Sequence, residues 1–141
     1  PTAAPAPAPM APVTASTNWM DAAQTPGDWR YTGAAAGGSA QFGTGRGEPR
    51  FTMRCDAATQ TVVLARPGVT ATQMTIRTES QSRNLTAASM RGGSEVRLNA
   101  NDRLLDAMAL SKGRFAVESP GIAPLYLPSW AEVTRVIEDC R

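Results

Sequence analysis

Two cysteines, Cys55 and Cys140, are the only ones in a chain of 141 residues that holds no histidine at all. They sit in Met53-Arg54-Cys55-Asp56 and Glu138-Asp139-Cys140-Arg141, near the two ends of everything that looks foldable. An even cysteine count in a small non-cytosolic domain reads as a structural disulfide. A 55–140 bridge constrains the fold more than any other feature, because it forces the end of the chain back onto an early segment. The pair is not a CxxC motif, which argues against redox activity. The missing histidine removes the commonest general base and metal ligand.

Two regions differ in composition. Residues 1–17, PTAAPAPAPMAPVTAST, alternate Ala and Pro. Proline lacks an N–H and fixes φ, so this stretch is expected to be an extended polyproline-like arm or linker. Residues 18–141 are expected to form one disulfide-stapled β-rich domain. No stretch approaches the roughly twenty apolar residues of a membrane span. The chain begins at Pro1 without an initiator Met, which is expected of a processed or trimmed form. A lipid anchor on preceding precursor residues fits such an arm.

Within 18–141 the dominant period is two. Asn18–Asp28 reads as a short helix or turn, 28–32 as a first strand, 33–38 as a small-residue turn and 39–43 as the hairpin partner. Phe51, Met53 and Cys55 alternate with Thr52 and Arg54. Val62 and Leu64 share one face of a strand over 61–66. Met74 and Ile76, a weaker run over 84–90, Val96 with Leu98, Phe115 with Val117, and Leu125 with Leu127 continue the series. Seven to nine short strands joined by turns predict a mainly β fold, an antiparallel β-sandwich or small barrel. Asn101 is placed to cap one short internal helix over 102–111, stopped by Gly113. A second helix is expected to begin at Ser129, whose spacing to Glu132 matches a capping box. Trp130, Val133, Val136, Ile137 and Cys140 then fall on one face. The disulfide is expected to clamp this C-terminal helix to the strand that holds Cys55.

Candidate chemistry is sparse. Gly43-Thr44-Gly45-Arg46-Gly47 resembles a phosphate loop, but Glu48-Pro49 and a strand follow where a helix is required, so it reads as a flexible loop. Asp102 and Asp106 share a helix face without forming an oxygen cage; Arg103 lies within reach of Asp106. Lys112 directly follows Ser111, and sequence neighbours rarely face one another. No cofactor and no metal site is expected, and no catalytic residues are assigned. Thirteen of the fourteen basic residues are Arg, and the net charge is only +2, so no nucleic-acid partner is expected. Arg54, Arg77, Arg97 and Arg114 each alternate with the apolar face of a strand. If those strands share a sheet, they form a basic outer surface for an anionic partner. Trp19, Trp29 and Tyr126 are candidates either for interface anchors or for the core.

FTMRCD, MTIRT, DRLLDAMALSKGRFAVE and LPSWAEVTRVIEDCR, together spanning Phe51 to Arg141, resemble small exported proteins of alphaproteobacteria of the sphingomonad kind. More distantly the layout is similar to type VI secretion-associated VasI-like proteins, with Arg54-Cys55, Ile76-Arg77, Phe115 and Cys140 in the corresponding places. The resemblance implies a β-rich fold and an envelope location and supplies no catalytic residue.

The expected function is that of a non-enzymatic, periplasmic or outer-membrane-tethered binding module that contacts other envelope proteins. The arm, through Pro5, Pro7, Pro9 and Met10, together with Trp19 and the four arginines, would make the contact. The alternatives are a secreted inhibitor of a lytic enzyme and a hydrolase of cell-wall glycan.

Overall fold

Strand β3 (Phe51–Asp56) shows how the alternating pattern becomes a layer: Phe51, Met53 and Cys55 are buried, while Arg54 is exposed. The computed structural model describes residues 18–90 and 92–141. The arm, with Pro5, Pro7, Pro9 and Met10, lies outside the described residues. A short 3-10 turn (Trp19–Asp21) comes first, then β1 (Asp28–Thr32), β2 (Ser39–Gly43), β3 and β4 (Thr61–Pro67). After β4 come β5 (Gln73–Arg77), β6 (Ser82–Thr86), β7 (Ala88–Met90) and β8 (Gly93–Asn99). Helix α1 (Arg103–Leu110), β9 (Arg114–Ser119), β10 (Ile122–Pro128) and helix α2 (Ala131–Asp139) complete the order. The protein is mainly β. One antiparallel sheet runs β1-β2-β3-β4-β8-β7 and the other β10-β9-β5-β6, stacked as a sandwich.

Inward-facing residues of both layers make one core. Four aromatic rings lie at its centre: Trp29 meets Phe42 at 5.4 Å and Phe51 at 6.3 Å, and Phe51 meets Phe115 at 6.2 Å. These are the edge-on geometries that ring quadrupoles favour. The Trp29 indole N–H donates to the Pro128 carbonyl at 2.7 Å, tying one sheet to the other.

Both open sides of the sandwich are bridged by chain. On one side the run from β6 to β7 changes sheets at buried Ala87, whose N–H donates to Thr72 O at 2.8 Å. The sequence reads this stretch as a single strand; its alternation continues through Thr86-Ala87-Ala88 with no Gly or Pro to mark the bend. On the other side the segment from Asn18 to Gly27 straps the small sheet before entering β1. Thr25 N–H donates to Tyr126 O at 3.0 Å, and Tyr126 N–H donates to Thr25 Oγ1 at 2.8 Å. Such crossings shield strand edges from pairing with other chains.

The helices are placed by burial. Val133, Val136 and Ile137 of α2 enter the core, and each fully buried aliphatic side chain contributes roughly 1.5–3 kcal/mol. Cys140 follows directly after α2 and is bridged to Cys55, so the helix is clamped to β3 as the sequence implies. Gly38 permits the close approach: a Cβ there would run into Asp139 Oδ2 and the Tyr31 hydroxyl. That hydroxyl donates to Asp139, and the Arg135 guanidinium lies 4.1 Å from the centre of the Tyr31 ring.

Both helix starts differ from the sequence reading by one residue. Asp102, not Asn101, caps α1; its carboxylate accepts from Leu104 N at 2.8 Å and from Arg83 at 2.8 Å. Ser129 does not cap α2, because its hydroxyl donates to Met108 O at 2.9 Å and ties α2 to α1 instead. Trp130 occupies the cap position and is 40% exposed rather than lying on the apolar stripe. Asp106 pairs with Arg141 at 2.7 Å, not with Arg103.

Candidate binding groove

The four outward arginines do not make one basic surface. Arg54 and Arg97 lie on the outer face of the large sheet, in a cross-strand row with Val63 between them. Val63 is only 1% exposed, which fits two long arginine stems lying over it. Arg97 also reaches Asp56 at 3.4 Å. Arg77 and Arg114 belong to the small sheet, on the opposite side of the molecule. Arg77 pairs with Glu118 at 3.1 Å, and Arg114 donates to the Ala22 carbonyl of the strap. The shared-sheet condition fails because the connection after β4 carries the chain to the other layer. Three of the four guanidiniums then have acceptors of their own.

A groove does form on the outer face of the small sheet. Arg77, Ala116 and Tyr126 make one cross-strand row across β5, β9 and β10. Ala116 faces outward yet is fully buried, and the strap runs across this face of the sheet. The strap brings Trp19 to the same face. Trp19, Ile122, Pro124 and Tyr126 line a hollow of about 280 Å³, with the Arg77–Glu118 pair and Ser119 at its border. A second hollow of about 240 Å³, lined by Thr75, Glu118, Ser119 and Pro120, shares two of those residues and adjoins it. The Trp19 wall is fixed locally: Asn18 Oδ1 accepts from Met20 N at 3.1 Å, and Asn18 Nδ2 donates to Asp21 at 2.8 Å.

Of the three aromatic candidates, Trp29 is core, whereas Trp19 and Tyr126 are half-buried and meet at the groove. Sequence reasoning missed Ile122, Pro124 and Glu118. Pro124 carried a usable signal, because proline within a strand marks an edge or a bulge; the β9–β10 register shifts between Ile122 and Leu125.

Two other features are chemically distinct. Arg30 lies under the glycine-rich loop in a hollow of about 200 Å³ shared with Gln41, Glu48 and Pro49. Gly45 and Gly47 there adopt φ of +87° and +69°, and β3 follows with no helix, so the loop lacks the helix N-terminus that a phosphate site uses. Arg66 is 3% exposed on the inner face of β4, where its Nη2 donates to Ala123 O at 3.0 Å. Among the described residues, its Nε and Nη1, and the hydroxyls of Ser94 and Ser119, are buried without a partner. Burial, and then the positive charge of Arg50, push the Arg66 pKa down. Parity was the overlooked signal: Arg66 continues the inward series Val62, Leu64. Among the described residues, no group of three or more Cys, Asp or Glu side chains converges as a metal site, and no helix is long and apolar enough to cross a membrane.

No protein-family model, curated protein or solved structure matches the chain.

Proposed function

We propose that the protein is a non-enzymatic binding module of the bacterial cell envelope, periplasmic or tethered to the outer membrane, and that it contacts other envelope proteins through the groove on its small sheet. The observation that carries this reading is the groove itself. It combines a Trp and a Tyr with two aliphatic groups and a self-neutralised ion pair at the border, the composition that protein interfaces favour. The disulfide supports an oxidising compartment, and the resemblance to small exported proteins points the same way. The arginine pair on the large sheet takes no part in this reading, because Arg97 is engaged by Asp56.

The test is site-specific photo-crosslinking in the cells that make the protein. A photo-reactive residue at Ile122 or Pro124 is expected to capture one defined envelope protein, and a probe at Arg54 on the opposite face to capture none. Equal capture from both faces, or capture from neither, sinks the proposal.

A further inference from the structure

We infer that the groove is a receptor for the chain's own N-terminal arm, which docks through Pro9-Met10-Ala11-Pro12. This rests on the groove being the recognition surface proposed above, and it names that surface's resident occupant. Four observations carry it.

The first is the chemistry of the walls. Grooves lined by Trp, Tyr and Pro recognise polyproline helices, whose preformed backbone loses little entropy on docking. The second is spacing. In a polyproline helix, with three residues per turn and a rise of about 3.1 Å per residue, Pro9 and Pro12 would project from one face about 9 Å apart. The groove offers two adjoining hollows that share Glu118 and Ser119. The third is charge. Residues 1–17 contain no Asp, Glu, Lys or Arg, and Arg77 and Glu118 already neutralise each other at 3.1 Å. An uncharged ligand therefore meets a border that needs no counter-charge. The fourth is tethering. The described chain starts at Asn18, and the next residue, Trp19, is a wall of the groove. Pro12 precedes Trp19 by seven positions, and seven residues span at most about 25 Å, enough for the arm to fold back over that wall.

Tethering also sets the consequence. A short linker gives an effective concentration on the order of millimolar. A groove with a dissociation constant near 100 µM is then about nine-tenths filled in cis, and a free competitor binds about tenfold more weakly to the full chain than to a chain without the arm. The arm thus acts as a built-in competitor that any partner must displace.

The experiment compares the oxidised full chain with an oxidised chain beginning at Asn18, by amide NMR, using a synthetic peptide of residues 1–17 as the probe. Removing the arm is expected to shift the signals of Glu118, Ser119 and Tyr126 and the Trp19 indole. The peptide is expected to restore them in the truncated chain, and to bind the full chain about tenfold more weakly. The same peptide carrying Pro9→Ala and Pro12→Ala is expected to restore nothing. The inference is overturned if shifts are confined to residues adjoining the cut, or if the alanine peptide works equally well. It is also overturned if the shifts vanish on dilution, which assigns the arm to a second copy. If the arm leaves no trace on a groove that still crosslinks its partner, this inference alone fails and the proposed function stands.

Discussion

Removing the disulfide with Cys55→Ala and Cys140→Ala tests how the domain is held together. The bridge joins positions separated by 85 residues. In the chain-entropy treatment, a loop of that length raises the free energy of the unfolded chain by about 4.6 kcal/mol at 25 °C. A native-state contribution adds to this. Cys55 and Cys140 are 2% and 3% exposed, so deleting two sulfur atoms leaves a small gap, at a cost of about 1 kcal/mol. The helix itself stays docked, because Val133, Val136 and Ile137 remain buried and Tyr31 still bonds Asp139. Domains of this size are stable by only about 5–15 kcal/mol, so a combined loss of about 5.6 kcal/mol removes more than a third of that stability and leaves the variant marginal.

Urea denaturation followed by circular dichroism separates the two contributions. The entropic part acts on the unfolded chain, and an unfolded chain freed of its cross-link exposes more surface. The slope of free energy against urea is therefore expected to rise in the variant along with the loss of stability. Wild-type protein unfolded in a reducing agent is expected to show the same increase in slope. A loss below about 1.5 kcal/mol with an unchanged slope refutes the reasoning, because it leaves only the packing gap and removes the loop-closure account.

Three further outcomes are expected. Arg66→Met is expected to stabilise the domain by about 1–3 kcal/mol in the same urea assay, because it removes a buried guanidinium that has no carboxylate partner; a loss of more than 1 kcal/mol contradicts it. Asp102→Ala is expected to cost about 1–2 kcal/mol and Asp102→Asn much less, since asparagine still caps α1. The Arg83 ion pair, with the Leu104 N–H, holds the Asp102 carboxyl below the usual carboxylate range. Its stabilisation is therefore present above that range and lost as pH falls through the folded-state value; Asp102→Asn is expected to flatten the acid side of the stability–pH curve, and an unchanged curve refutes the assignment. Gly37→Ala is expected to cost about 1–3 kcal/mol by thermal melting, since φ there is +126° and the new Cβ collides with the Cys55 backbone carbonyl; a wild-type melting temperature refutes it.

The parts of the fold that were legible are those fixed by near neighbours. Alternation places Phe51, Met53 and Cys55 inward because the side-chain period of a strand is two whatever the strand pairs with. The stripe Val133, Val136, Ile137 and Cys140 orients α2 for the same kind of local reason. What alternation cannot supply is the partner of each strand. Arg54, Arg77, Arg97 and Arg114 have identical local patterns, yet β3, β4 and β8 form one layer and β5 with β9 the other. Alternation also assumes that the outer face is wet. Ala116 violates that assumption because the strap runs over its face of the sheet, and Val63 because arginine stems lie beside it. The capping error at α2 has a tertiary source: Ser129 has the right spacing for a box, but Met108 O takes its hydroxyl.

The groove was illegible for a stronger reason: its walls come from Trp19 and Tyr126, and no local pattern links positions so far apart. What links them is the strap. Thr25 pairs with Tyr126 through two hydrogen bonds, and Arg114 holds the Ala22 carbonyl, so the segment that closes one side of the sandwich also delivers Trp19 to the small sheet. Closing the fold and building the groove are therefore one event. It follows that a cut before Asn18 removes only the arm, whereas a cut after Pro26 removes the groove wall and uncovers Ala116 together. A partner that binds the first truncated chain and not the second must be reading the strap, and one that binds both must be reading a surface elsewhere on the sandwich.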